Sequence, residues 1–359
     1  MQKLKNIECF RFIFAIVIAY MHMIIGWHKL YPANDSITYL ASAAGWGNIC
    51  VDFFFIIAGY FLYYSIEKTS DIFSLAVHKL KRLYPVFAFS IIAPMLIHKF
   101  HISEIILNLL LLQNTGICLT KGINVAAWFV SALFLISIFY AFIIKIFSER
   151  QRLFIILICT FCSYSILVQE NCFYSKEMVT PILTSGILRA VAGIGCGYLL
   201  AVFYKRSSKS LCRFFNSNFY TKIILSIVEI ILSGTIIYLI ISGKHLLKNP
   251  FALIVLFVFL FILLLSKSGF LSRLLENDIS VFLGKYAYSI YLMQAFYNIL
   301  ARNFLWGWGL YAPESLSLAI FLNILNYIIL GVITYHVVEK PFNNYFKRTE
   351  RLDKQCTNQ

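Results

Sequence analysis

The stretch Arg11–His22, RFIFAIVIAYMH, lies in the first long apolar run of the chain and carries an arginine and a histidine at its two ends. A helix turns by about 100° per residue, so eleven steps end roughly 20° past three full turns and both side chains share one face. The rise of ~16 Å places His22 a little beyond the bilayer centre if Arg11 lies at a membrane surface. An ionisable side chain at that depth is costly, which makes His22 a candidate for function.

The composition indicates a protein that crosses the membrane several times. Hydrophobic residues make up 60% of the chain and charged residues 13%, whereas soluble domains are about 25% charged. The 31 Lys and Arg outnumber the 16 Asp and Glu, but they lie in short loops between apolar runs, which indicates topogenic charge and no nucleic-acid binding. The nine cysteines are scattered without a metal-ligand spacing, so we expect no metal site and no disulfide framework.

Apolar runs predict an all-α bundle of about ten transmembrane helices. They cover approximately residues 9–28, 45–66, 84–100, 126–147, 152–169, 183–204, 221–242, 250–266, 280–300 and 315–337. The run 102–113 is too short to span and predicts an outer-face or re-entrant helix. Of the 31 Lys and Arg, 23 lie at the N-terminus, in alternate loops and in the tail, so we place both termini in the cytoplasm. We predict one membrane domain over residues 1–342 and a short cytoplasmic tail over 343–359.

Asp52 in the second span lies at a depth similar to that of His22 when helical rise is counted from the predicted span ends. An aspartate beside a histidine can fix its tautomer and stabilise the imidazolium, which makes the histidine a competent general base. The alternative is a polar pair that only holds two helices together. We predict His22 and Asp52 as the catalytic pair.

Basic residues form a second candidate site at the predicted cytoplasmic surface. We call Arg11, Lys79 and Arg82 the cationic cluster; the last two lie in the segment HKLKRLYP, residues 78–85. Facing one another, these side chains would suit phosphate groups. Ordinary positive-inside charge is the alternative, but Arg11 shares a helix face with His22, so a phosphate bound there would lie in line with the base.

Two further residues have weaker signals. Arg189 lies within the sixth span ahead of the glycine-rich segment AGIGCG, where it either holds an anionic group or forms a structural pair. Trp128 falls at the predicted outer interface, where aromatic residues are common.

Five sequence motifs occur in the order typical of one protein family. They are R-x10-H (Arg11 and His22), VDFFFIIAGY (Val51–Tyr60), KLKRLYP (Lys79–Pro85), GKYAYSIYLMQ (Gly284–Gln294) and VEKPF (Val338–Phe342). In these motifs the chain resembles the acyltransferase-3 family, integral-membrane enzymes that O-acetylate surface polysaccharides and related acceptors. The resemblance extends over essentially the whole chain.

The resemblance implies roles for the matching positions. It implies that His22 is the catalytic histidine, Arg11 its motif arginine and Asp52 the acid of the second motif. Lys79 and Arg82 correspond to a basic pair in which lysine replaces the first arginine. Supporting positions are Trp128, Arg189, Tyr288, Gln294 and Glu339. Three positions depart from the common pattern: Leu133 stands where many members have glutamate, Gln294 where many have histidine, and Ala58 where many have serine.

We therefore expect an O-acyltransferase of the bacterial inner membrane, most simply one that uses acetyl-CoA as the donor substrate and binds no resident cofactor. The phosphates of CoA would bind the cationic cluster. A sugar hydroxyl of a cell-surface or lipid-linked glycan would reach His22, and the outer surface of the helical bundle would contact membrane lipids. The competing hypothesis is a transporter or glycan flippase, since ten spans with buried polar residues suit it equally well. No inverted repeat supports that hypothesis. A glycan polymerase would need a larger outer loop.

Overall fold

The computed structural model describes residues 4–69, 71–113, 115, 122–173, 178–179, 183–215, 218–246, 250–306 and 315–357. Helices dominate these residues, and the pairing of Met178 with Thr184 is an isolated bridge. The helices are α1 Lys5–Leu30, α2 Asp35–Ala43, α3 Cys50–Lys68, α4 Ile72–Ile92, α5 Ile102–Leu109, α6 Trp128–Ile146, α7 Glu149–Gln169, α8 Ser185–Phe215, α9 Phe219–Leu246, α10 Phe251–Ser266, α11 Phe270–Leu274, α12 Asp278–Gly284, α13 Ala287–Leu300, α14 Leu316–Thr334 and α15 Lys340–Thr357. The predicted helical membrane protein is confirmed.

Seven helical segments within the described ranges are long and apolar enough to cross a bilayer. They are Lys5–Leu30, Asp35–Lys68, Trp128–Ile146, Glu149–Gln169, Ser185–Leu211, Phe219–Ser242 and Leu316–Glu350. Helices also cover most of the predicted spans 84–100, 250–266 and 280–300, but α4 carries Lys79, Lys81 and Arg82 near its middle, and α10 and α13 are short. The count of ten spans, the placement of the termini and the domain boundary at residue 342, which α15 crosses, stay predictions.

Side-chain caps mark where several helices begin. The side chains of Asn34, Asp71 and Asn277 accept hydrogen bonds from backbone N–H groups in the first turns of α2, α4 and α12. At α7, Ser148 and Gln151 form a capping box. Each cap satisfies a backbone donor that the helix itself leaves unpaired, so the chain can turn between apolar segments without losing hydrogen bonds.

Helices α3 and α8 pack with their backbones in direct contact at two glycines. A Cβ atom on Gly59 would lie 2.0 Å from the Ile194 carbonyl oxygen, and one on Gly197 would lie 2.0 Å from the Ile56 carbonyl oxygen. Only glycine allows this approach, because any side chain would overlap backbone atoms that cannot rotate away. The contact holds Asp52 of α3 beside Arg189 of α8.

We expect Gly59→Ala to destabilise the folded protein by about 1–3 kcal/mol, because the added methyl forces α3 and α8 apart. The matched control is Gly234→Ala in α9, where no atom of the described residues lies within 4 Å of the new Cβ. The control should be neutral or slightly stabilising because alanine is the better helix former. Thermal unfolding in detergent measures both variants, and equal behaviour of the two would contradict the close contact.

Aromatic rings pack α1 against α3 and α10. The ring of Phe14 lies 4.9 Å from that of Phe53 and 5.3 Å from that of Phe257, centre to centre. One end of α3 is preceded by a 3₁₀ helix, Ala44–Ile49, in which Gly47 packs against Met21 and Val17 of α1. The contact of Phe14 is with Phe53, whereas Met21, later in α1, contacts the earlier residue Gly47. Residue numbers therefore increase in opposite directions, and α1 and α3 are antiparallel.

Helices α1 and α13 run side by side in the same direction. Gly284, at the end of α12, packs against Glu8 near the start of α1. Further along, Gln294 of α13 contacts His22 of α1. Residue numbers increase in the same direction from the first contact to the second in both segments. The two helices are therefore parallel.

Candidate active site

His22 is half-buried on α1, between the buried residues Met21 and Met23. Its Nδ1 atom lies 3.2 Å from Oε1 of Gln294. Gln294 was predicted as a supporting residue because it replaces the histidine that many sequences of the resembled pattern carry. The structure brings the two side chains into direct contact.

Gln294 is held firmly in α13. Its side chain is 1% exposed, and its Nε2 atom donates to the Tyr291 carbonyl oxygen at 2.8 Å. The hydroxyl of Tyr291 donates to the Ala126 carbonyl oxygen at 2.9 Å, and Asn124 Nδ2 donates to the Leu292 carbonyl oxygen at 2.9 Å. These bonds tie α13 to the segment before α6 at the level of Gln294.

Asp52 forms a buried ion pair with Arg189. Arg189 Nη2 lies 2.5 Å from Asp52 Oδ2, and its Nε lies 3.2 Å from the same oxygen. Arg189 Nη2 also donates to the Asn48 carbonyl oxygen at 2.8 Å, and its Cζ lies 5.3 Å from the centre of the Trp128 ring. The guanidinium therefore has a carboxylate, a carbonyl and an aromatic face as partners, as expected of a buried arginine.

The structure thus gives Asp52 a partner other than the one we expected. Phe53, its neighbour, packs on Phe14, eight positions before His22 and roughly 12 Å lower along a helix axis. Asp52 therefore lies nearer the level of Phe14 than that of His22. The permanent charge and forked donors of Arg189 match a carboxylate better than a neutral imidazole does, and this arrangement favours a structural role for Asp52.

The cationic cluster lies at the N-terminal end of α1. Arg11 Nη1 donates to Glu8 Oε2 at 2.8 Å, and both side chains are only about one-fifth exposed, 21% and 17%. Arg82 of α4 interacts electrostatically with Arg11, and Lys79 interacts with Arg82. The sequence predicted these three cations near one another, and the structure brings them together.

Two carboxylates accompany the cations. Glu8 and Glu339 both interact electrostatically with Arg82, and Ser289 Oγ donates to Glu339 Oε2 at 2.6 Å. Glu339 was predicted as a supporting residue, whereas Glu8 and Ser289 were missed. Glu8 precedes the R-x10-H motif by one helical turn, which was the available signal. Three cations against two carboxylates leave the cluster with net positive charge at neutral pH.

Four elements meet at the cationic cluster. Tyr288 of α13 donates its hydroxyl to the Leu83 carbonyl oxygen of α4 at 2.8 Å, and Glu339 lies in a π-helical turn, Tyr335–Glu339, between α14 and α15. Arg82 is exposed to solvent although charges from α1 and this turn act on it.

A comparison with protein-family models finds a match that covers nearly the whole chain. The model described as an acyltransferase domain, of the acyltransferase-3 family, matches residues 4–338. The chain belongs to the acyltransferase-3 family. No curated protein matches the chain, and neither does any solved structure.

Membership makes the chain an acyltransferase with membrane helices. The five motif segments of this acyltransferase-3 chain lie on α1, α3, α4, the α12–α13 region and the turn before α15. Four of them supply the cationic cluster and its neighbours or the His22–Gln294 contact. The α3 motif instead supplies the buried pair with Arg189. Four of the motifs therefore lie around the candidate active site, and the fifth lies in the packed helix pair α3 and α8.

Proposed function

We propose that this acyltransferase moves an acetyl group from acetyl-CoA, bound from the cytoplasm, to a sugar hydroxyl of a cell-surface or lipid-linked glycan at the bacterial inner membrane. One observation supports this proposal above the others. Arg11 near the start of α1 meets Arg82 and Lys79 of α4 in the cationic cluster, and His22 lies further along the same helix in contact with Gln294 of the parallel α13. The rise from Arg11 to His22 is ~16 Å, which suits a donor whose phosphates and thioester are joined by a long arm.

The cationic cluster would bind the phosphates of CoA. Arginine forks and a lysine ammonium supply charge-assisted hydrogen bonds to phosphate oxygens. Glu8 and Glu339 keep the cations compensated and in place before the donor arrives. A phosphate would compete with Glu8 for Arg11, so donor binding exchanges one ionic partner for another.

His22 would act as the general base in the transfer. Its imidazole takes the proton of the acceptor hydroxyl while that oxygen bonds to the thioester carbonyl carbon. The carbon–sulfur bond then breaks, the sulfur takes the proton from the imidazolium, and CoA leaves as a free thiol. The product is an O-acetyl ester. Asp52 and Arg189 would hold α3 against α8 and keep the surrounding bundle rigid.

The experiment that tests the reaction is analysis of envelope glycans from cells with and without the protein. We expect alkali-labile acetyl esters to disappear with the gene and to return with the wild-type protein. Identical ester content in both strains would contradict the proposal.

A kinetic prediction tests the cationic cluster. Arg82→Ala should raise the KM for acetyl-CoA about 10- to 150-fold, because it removes charge-assisted phosphate contacts worth roughly 1.5–3 kcal/mol. The matched control is Lys81→Ala, the neighbouring cation, which lies 3.6 Å from Glu350 and faces Phe346 instead. Its KM should stay near that of the wild type.

A shortened donor separates phosphate binding from structure. Acetyl-pantetheine lacks the phosphates, so the wild type should use it poorly and Arg82→Ala should be scarcely worse than the wild type. Equal impairment of the variant with both donors would assign Arg82 a structural role and overturn the donor site.

A further inference from the structure

We infer that Gln294 is a positioning residue that holds His22 in the tautomer protonated at Nδ1, so that Nε2 carries the lone pair offered to the acceptor hydroxyl. This inference rests on the proposed function for its catalytic meaning. Its structural content, an Nδ1 proton donated to the Gln294 amide oxygen, rests on the geometry of His22, Gln294 and Tyr291 and can be tested without any reaction.

The orientation of the Gln294 amide follows from its first partner. Its Nε2 atom donates to the Tyr291 carbonyl oxygen at 2.8 Å. A carbonyl oxygen can only accept, so the NH₂ end of the amide must face it. The opposite orientation would place Oε1 of Gln294 against the Tyr291 carbonyl oxygen, and both atoms are acceptors. Because Gln294 is only 1% exposed, water cannot supply the missing hydrogen bonds.

The orientation of the amide then determines the proton on His22. With Nε2 turned to Tyr291, the atom that faces the histidine is Oε1, 3.2 Å from His22 Nδ1. An amide oxygen has no proton to give, so Nδ1 must supply it. A neutral imidazole has one N–H, and the lone pair is therefore on Nε2.

A neutral amide suits this role differently from a carboxylate. It selects the tautomer without adding a negative charge beside the imidazole, so the ring is oriented but not strongly biased towards its protonated form. Two hydrogen bonds, donated by Tyr291 of α13 and by Asn124, hold α13 against the segment before α6. Gln294 thus passes a fixed geometry to His22.

The direct test is solid-state NMR of the full chain in lipid bilayers with nitrogen-15 in the histidine rings. The chain has seven histidines, so the His22 signals are assigned by difference from a His22→Ala sample. At about pH 8, above the ordinary pKa of histidine, the wild type should show a protonated Nδ1 and an unprotonated Nε2. A protonated Nε2 in the wild type would overturn the inference whatever the variants do.

Two variants extend the test to function. Gln294→Met removes the acceptor and keeps the shape, so the Nδ1-protonated tautomer should lose population relative to the wild type. Its kcat should fall about 10- to 100-fold, the usual cost of removing a partner that orients a functional histidine, with the KM for acetyl-CoA within about twofold. Gln294→Glu offers Nδ1 an acceptor oxygen in either protonation state, so it should keep the wild-type tautomer and recover activity relative to Gln294→Met.

Gln113→Met is the matched control. Gln113 is also a buried glutamine, 2% exposed, and neither end of its amide has a hydrogen-bond partner among the described residues. The same substitution there should leave the His22 signals and kcat unchanged. Equal losses in both methionine variants, or an unchanged tautomer in Gln294→Met, would overturn the inference.

The two proposals fail separately. If the wild type shows the Nδ1-protonated tautomer and Gln294→Met loses it, but no acetyl transfer is found, the tautomer assignment stands and the proposed reaction is overturned. If transfer is found and Gln294→Met retains wild-type kcat, the reaction stands and the positioning role is overturned.

Discussion

His22→Ala is expected to lower the rate of acetyl transfer about 10²- to 10⁴-fold, the range that a positioned general base contributes. The loss should appear in kcat, with little change in the KM for acetyl-CoA, because the cationic cluster is untouched. The variant should still fold, since a half-buried imidazole with an amide partner contributes little to the free energy of unfolding. Transfer of labelled acetyl groups to envelope glycan in isolated membranes measures the rate.

His28→Ala is the matched control for this variant. His28 lies on the same helix, is also half-buried, and contacts the hydroxyl of Thr38 at 3.2 Å. Its loss should leave the transfer rate within about twofold of the wild type, as is usual for substitutions away from the chemistry. Near-wild-type transfer by His22→Ala, or an equal loss in His28→Ala, would show that His22 is not the general base.

The second large effect is expected at the buried ion pair. Asp52→Asn should destabilise the folded protein by about 3–5 kcal/mol, because it leaves the Arg189 guanidinium buried without its counter-charge. The double variant Asp52→Leu with Arg189→Met removes both charges and should regain much of that loss. The temperature at which the detergent-solubilised protein unfolds measures all three forms.

An exposed ion pair supplies the control for the buried one. Arg206 Nη2 lies 2.6 Å from Glu149 Oε1, but both side chains are largely exposed, 62% and 60%. Glu149→Gln should therefore cost about 1 kcal/mol or less. If Asp52→Asn were as mild as Glu149→Gln, or if the double variant were less stable than Asp52→Asn, the ion pair would not hold α3 to α8.

The helical class, the shared face of Arg11 and His22 and the gathering of the cationic cluster could be predicted from the sequence. These features depend on hydropathy, on helical period and on the positions of basic residues at span ends, which are local properties. The partner of Asp52 is not local. Its depth was counted from about Trp46 at 1.5 Å per residue, but the 3₁₀ helix Ala44–Ile49 before α3 rises about 2 Å per residue, so its four residues from Trp46 onward shift the register by roughly 2 Å.

Tertiary contacts explain what else the sequence did not indicate. Arg189 reaches Asp52 because the glycines between α3 and α8 let the two backbones touch, and no single-sequence pattern states which helices will meet. The sequence also does not identify the partners of Glu8 and Ser289 beside the cationic cluster. Glu8 contacts Arg11 one helical turn away and acts on Arg82 of α4, and Ser289 donates to Glu339. Gln294 was noticed only as a departure from a family pattern, and its orientation required the Tyr291 carbonyl.

A vesicle experiment tests whether His22 transfers an acetyl group from a donor bound at the cationic cluster. Sealed membrane vesicles of both orientations, made from cells that carry the native glycan, test it when membrane-impermeant radiolabelled acetyl-CoA is added outside. We predict alkali-labile label on glycan only in vesicles whose cytoplasmic face is outward, and none with His22→Ala. Label in neither orientation, or equal label with His22→Ala, would contradict acetyl transfer by His22 from a cytoplasmic donor.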